Sequence, residues 1–178
     1  PVLNFLDGEG EKYESGNITN KNITLNVLSV NNVTSEIFVN KQRVSNNFVL
    51  TKTGDYSIVL ESIDNAENIE QDNYEVIIDK IAPTIEGVEK SSVYYESVTP
   101  IVKDNDIKSS KLYLSGNLVT GYKLNSTIEQ VGRYDLEIID NAGNVTRTNF
   151  EINEPTITDL KKYTIKEDKF ISGIEQGI

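Results

Sequence analysis

Two five-residue clusters hold most of what could do chemistry in this 178-residue chain: Asp64-Asn65-Ala66-Glu67-Asn68 and Asp140-Asn141-Ala142-Gly143-Asn144. Carboxylate and carboxamide oxygens set so close together suit either a hard cation or the capping of backbone amides in a tight turn. Each cluster sits between two apolar runs, so capping by Asp64, Asn65, Asn68, Asp140, Asn141 and Asn144 is the reading expected here. Gly143 then takes a positive φ at no steric cost; the first copy has Glu67 at that place, and Asn65 or Asn68 is expected to supply the left-handed residue instead.

Calcium is the one cofactor the sequence suggests. Asp104-Asn105-Asp106 gathers oxygens and Asp79 lies where two stretches join, which makes Asp79, Asp104 and Asp106 the candidate metal ligands. The cation needs roughly six to eight oxygens, and no Asp-x-Asp-x-Asp-Gly loop with a trailing Glu is present.

The other chemistries fall away on composition. His and Cys are both absent, which removes zinc fingers, thiol nucleophiles, Ser-His pairs and disulfide staples together. Only carboxylate chemistry is left for an enzyme, and that needs two carboxyls held apart in a cleft that small all-β modules do not provide, so no catalytic residue is expected. Glycan binding would use exposed aromatic faces. With no Trp, the candidates are Tyr94, Tyr95 and Tyr122, and alternation along a strand exposes one of the first two at most. Lys and Arg number 17 against 28 Asp and Glu, a net charge of −11 that repels nucleic acid. No apolar run reaches the length of a membrane span.

The elements that must position these residues come in two similar sets. Gly54-Asp55-Tyr56 opens a run ending in the first cluster, and Gly132-Arg133-Tyr134 opens one ending in the second. The offset between copies is 82 at Tyr13-Glu14-Ser15 against Tyr95-Glu96-Ser97, 78 at the glycine and 76 at the final Asn, a drift expected to fall in loops. Tyr56-Ser57-Ile58-Val59-Leu60 and Tyr134 to Ile139 read as strands, each followed by a returning strand. Glu36 to Val39 with Phe48-Val49-Leu50, and Lys111 to Leu114 with Leu118-Val119 across Gly116-Asn117, read as further strands and a hairpin. No window has helical periodicity with caps. Pro83 keeps the stretch between the copies extended, and a second break falls at Asn153-Glu154-Pro155.

The pattern Asp79-Lys80-x-Ala82-Pro83-Thr84-Ile85, Tyr95, Val98-Thr99-Pro100, Asp104, Gly132-x-Tyr134 and Asp140-Asn141-Ala142-Gly143-Asn144 resembles the bacterial immunoglobulin-like repeats of Gram-positive surface proteins. The resemblance covers residues 79 to 153 well and 1 to 78 less fully. It implies an all-β chain of two tandem immunoglobulin-like Greek-key β-sandwiches arranged end to end, with domains at 1–79 and 80–153. Residues 154–178 are then a linker and the truncated start of a further small β module, with a short hairpin-like tail. The implied role is a non-catalytic spacer, stalk or adhesion module, secreted or attached to a cell wall and monomeric within a longer chain. The alternative is a module that binds host protein or glycan beside an extracellular glycosidase or adhesin.

Overall fold

The computed structural model describes residues 1–155, which are all-β with no helix; the expected C-terminal tail lies outside the described residues. By its internal contacts the chain divides into two compact units. The first holds Pro1–Ala82 together with Asp106–Lys108 and Ile139–Val145, and the second holds Pro83–Asn105, Ser109–Ile138 and Thr146 onward.

The first set of strands is β1 (Val2–Asp7), β2 (Ile18–Thr19), β3 (Ile23–Leu28), β4 (Val33–Val39), β5 (Gln42–Val44), β6 (Phe48–Leu50), β7 (Gly54–Asp64) and β8 (Ile69–Ile78). They form two sheets, β1-β3-β6 and β2-β8-β7-β4-β5. Alternation does the sorting. Ile23, Leu25 and Val27 of β3 point inward, as do Ile37 and Val39 of β4, Ile58 and Leu60 of β7, and Val76 and Ile78 of β8. They meet in one apolar cluster with Leu3, Phe5 and Leu50. Consecutive strands change sheets at every step except the hairpins β4 to β5 and β7 to β8, which gives the immunoglobulin-like Greek-key sandwich that the pattern predicts.

The second set is β9 (Thr84–Glu86), β10 (Ser92–Tyr94), β11 (Ile101–Lys103), β12 (Ile107–Leu114), β13 (Asn117–Leu118), β14 (Gly132–Asp140) and β15 (Val145–Ile152). Its large sheet, β10-β15-β14-β12-β13, repeats the first, down to a short leading strand paired in parallel with the last strand. The small sheet is reduced to β9 and β11. Proline explains the loss. Val98 and Ile128 exchange both backbone hydrogen bonds, at 3.0 and 2.8 Å, and take the places of the paired Ile23 and Leu50. Two residues on, where an antiparallel ladder next needs an amide, stands the buried Pro100 in place of Leu25, and the pairing stops.

The drift between copies does not fall only in loops. β7 has 11 residues and β14 has 9; β8 has 10 and β15 has 8. Each arm of the hairpin is thus shorter by two, and an even change keeps every remaining side chain on its own face, whereas a change of one would turn the core outward. The Tyr13 and Tyr95 match also fails in space: Tyr13 is 7% exposed and packs edge-on against Phe5, while Tyr95 lies past the end of β10 at 48% exposure.

Candidate functional site

Asp64 and Asp140 each close a hairpin in the same way. The Asp64 amide donates to the Asn68 carbonyl at 3.1 Å, the Glu67 amide returns to the Asp64 carbonyl at 3.0 Å, and Asp64 Oδ1 accepts the amides of Ala66 and Asn68 at 2.8 and 3.0 Å. The Asn68 carboxamide donates to Asp64 Oδ2 at 2.9 Å. In the other copy the Asp140 amide donates to the Asn144 carbonyl at 3.1 Å and Gly143 to the Asp140 carbonyl at 3.2 Å. Asp140 Oδ1 and Oδ2 accept the Asn144 amide and carboxamide, both at 2.8 Å. The corners are therefore capped turns, in which carboxylate and carboxamide replace missing ladder partners. The left-handed residue is Glu67 itself, at φ 64°, matching Gly143 at 93°; neither Asn65 nor Asn68 takes that role, because only the fourth residue can turn its amide back to the Asp carbonyl.

A third corner of this kind is one the sequence pattern does not single out. Asp7 Oδ1 accepts the amides of Glu9 and Glu11, both at 2.9 Å, the Asp7 amide donates to the Glu11 carbonyl at 2.8 Å, and Gly10 stands at φ 85°. Its signal is Asp-x-x-Gly after an alternating strand. That signal is faint because Asp7-Gly8-Glu9-Gly10-Glu11 lacks the terminal Asn that ties the other two together.

The corners differ in burial. Asp140 is 1% exposed and Asp64 lies in solvent. The shortened arm brings Asp140 to the inward position that Ser62 occupies in β7, and those two are the buried polar residues of the described chain. Within the first unit the Asn144 carboxamide also donates to the carbonyls of Asp79 and Ile81, at 3.0 and 3.3 Å, and the Asn20 amide donates to the Ala142 carbonyl at 3.0 Å.

Two further devices recur. Tyr56 donates its hydroxyl to the Lys52 carbonyl at 2.8 Å and Tyr134 to that of Gln130 at 2.7 Å, each four residues upstream, the tyrosine corner of immunoglobulin-like sandwiches. This is why the Gly-x-Tyr motif recurs; at φ 149° a side chain on Gly132 would in addition overlap Leu114 Cδ1. Asn46 Oδ1 accepts the Val27 amide and Asn125 Oδ1 the Val102 amide, both at 2.8 Å; Val27 lies beyond the stretch of β3 that β6 pairs.

The candidate metal ligands do not gather. Among the described residues no three His, Cys, Asp or Glu side chains form a group fit for a metal. Asp79 Oδ1 accepts the Ile81 amide at 2.8 Å, and Asp106 accepts the Asn141 amide and carboxamide. Of the tyrosines, Tyr94 is half-buried, its hydroxyl accepting the Glu89 amide at 2.7 Å and its ring edge-on to Phe150. The Tyr122 hydroxyl is buried without a partner in the described structure, and burial raises its pKa. Tyr95 presents its ring to solvent.

Every resolved titration shift has a structural cause. The Asn68 carboxamide holds the Asp64 carboxyl below its ordinary value, and the Lys21 ammonium, 2.7 Å away, does the same for Asp7; Asp7 and Glu9 in turn raise Lys21. Burial raises Tyr13, Tyr74 and Tyr134. A hollow of about 550 Å³ in the second unit is lined by residues that include Ser91, Arg133, Asp135 and Glu151. It offers no aromatic face, since Tyr134 and Phe150 beneath it are 2% and 3% exposed.

No protein-family model matches the chain. A stretch of 77 residues, 43% of the chain, is 42% identical to part of the outer cell wall protein of Brevibacillus brevis, of which it spans 8%. Among solved structures, the chain is similar to the fibronectin(III)-like modules of Clostridium thermocellum CbhA, at 15% identity over 86% of this chain and 94% of that one, with a TM-score of 0.44. It is also similar to an I-band fragment of titin, at 11% identity over 86% of this chain and 65% of that one, with a TM-score of 0.48. Likenesses at these scores do not bear on function.

Proposed function

We propose that this chain is a non-catalytic spacer or adhesion module of a bacterial surface or secreted multidomain protein, built of bacterial immunoglobulin-like repeats and working outside the cell. One observation carries the reading: the side chains best able to do chemistry are taken up by the backbone. Asp7, Asp64 and Asp140 cap turns, Asn46 and Asn125 serve strand amides, and Tyr56 and Tyr134 tie down loops. What remains outward is an acidic surface, suited to solubility and to standing in a polar medium. The identity to part of an outer cell wall protein supports the extracellular setting.

The test is replacement within the parent protein. If the chain is a spacer, exchanging it for an unrelated pair of all-β modules of equal length preserves surface display and the activity of whatever the parent carries, while deleting it reduces both. Loss of function on exchange at constant length overturns the reading. Binding of the wild-type chain in a glycan array or a host-matrix screen, abolished by Tyr95→Ala, would replace it with the ligand-binding alternative.

A further inference from the structure

The first unit carries opposite charge on the two edges of one sheet. In β2-β8-β7-β4-β5 one end is β5, which shares a groove of about 290 Å³ with β6, the end strand of the smaller sheet. Val39, Val44 and Leu50 line that groove, and Phe48 and Val49, two successive residues of the edge strand β6, stand 38% and 43% exposed beside it. From Ile37 to Gly54 there is no Asp or Glu, although the chain holds 28 of them, and the cations are Lys41, Arg43 and Lys52. Arg43 pairs with Glu36 at 2.7 Å; the Lys41 and Lys52 ammonium groups have no ion pair among the described residues.

At the other end β2 covers only Ile77 and Ile78 of β8. Ile69 to Asn73 is left without a neighbouring strand on that side among the described residues, with Ile69 62% exposed and Glu70 and Asp72 in solvent. From Thr53 to Asp79 there is no Lys or Arg. Lone charges on edge strands ordinarily keep sheets apart. Here each edge has one sign, the signs are opposite, and each edge also exposes apolar side chains, which is the arrangement that attracts.

We propose that the groove between β5 and β6 takes the Ile69–Asn73 edge of a second copy of this chain. Ile69 supplies the apolar side chain, and Glu70 and Asp72 meet Lys41 and Lys52. The two surfaces differ, so the contact is heterologous, and each copy that docks presents a free edge to the next: association is open-ended rather than closed at a dimer. Side-by-side assembly departs from the expectation of a monomer and is independent of whether the chain acts as a spacer.

Sedimentation velocity on the whole chain, across a concentration series, tests this. At low salt the wild type should show a graded increase in mass through dimer and trimer, reversed at about 1 M salt, where the screening length falls to about 3 Å. Lys41→Ser with Lys52→Ser, and separately Glu70→Gln with Asp72→Asn, should each weaken association by about tenfold or more. An equimolar mixture of the two variants retains one intact edge of each kind, so it should recover wild-type affinity but stop at dimer. A chain that stays monomeric at every concentration and salt overturns the proposal. So does association that neither pair of substitutions weakens, or a mixture no tighter than its components. All four sites are exposed, and the salt series on unaltered protein separates assembly from its absence without any variant.

Discussion

Tyr134→Phe removes one oxygen atom from a ring that is 2% exposed and stacked on Phe150 at 5.2 Å, so packing is conserved and only the 2.7 Å bond to the Gln130 carbonyl is lost. The bond is part-buried and its acceptor belongs to the exposed Gln130, so losing it costs about 0.5–1.5 kcal/mol. For a unit of this size the melting point should fall by about 2–12 °C, at roughly 4–8 °C per kcal/mol. Tyr56→Phe is the internal control. It breaks the equivalent bond to Lys52, but at an exposed site where water substitutes, so its cost should stay at or below about 0.5 kcal/mol. Urea unfolding with unchanged slope, followed by far-ultraviolet circular dichroism and by tyrosine fluorescence, measures both. Equal costs for the two variants, or a Tyr134→Phe midpoint indistinguishable from wild type, would refute the argument that burial sets the value of this corner. Alkali adds a second check. Burial raises the Tyr134 pKa, so its contribution is present below the unfolded value near 10 and is lost as pH rises through the folded one; Tyr134→Phe should blunt that loss.

Three further outcomes concern the repeated corners and caps. Glu67→Gly should stabilise by about 0.5–1 kcal/mol, because a non-glycine residue at φ 64° is strained by more than glycine loses in chain entropy, and Gly143→Ala should destabilise by about 1 kcal/mol; calorimetry of both gives the signs. Asn125→Ala removes the acceptor of the Val102 amide beside a buried residue and should cost about 1–3 kcal/mol in urea titration, with faster amide exchange at Val102. Asp64 and Asp7 are held below the ordinary carboxylate value when folded, so the stability they give is complete above the unfolded pKa and is lost as pH falls through the lowered one. Acid unfolding of Asp64→Ala with Asp7→Ala should therefore show a shallower dependence on pH than wild type.

The parts of this fold that are legible in the sequence are those that repeat a residue type at a fixed spacing. The Asp-Asn-Ala-x-Asn corner and the alternation of β7 and β14 can be read because one hydrogen-bonding arrangement demands the same residues twice, and alternation alone sorts Ile58 and Leu60 from Ser57 and Val59. The purpose of Gly-x-Tyr is hidden, since the partner of Tyr134 is a backbone carbonyl that any residue at 130 supplies. The same holds for Asn46 and Asn125, which look like ordinary loop asparagines until the amides of Val27 and Val102 are seen beside them. The left-handed residue falls elsewhere than expected for a related reason. Asn is the better intrinsic former of that conformation, but the position is dictated by which amide must reach the Asp64 carbonyl, and that amide belongs to Glu67. Pro100 is the extreme case. It stands in the sequence as part of a family-like Val-Thr-Pro, with nothing to say that it occupies the register of Leu25. Only once Val98 is seen paired to Ile128 does its missing amide explain why the second small sheet ends there. A corner closed by several polar residues at fixed spacing leaves a pattern in the sequence, whereas a single side chain that bonds to a lone backbone group on another segment leaves none, and Asn46 and Asn125 are engaged in the second way.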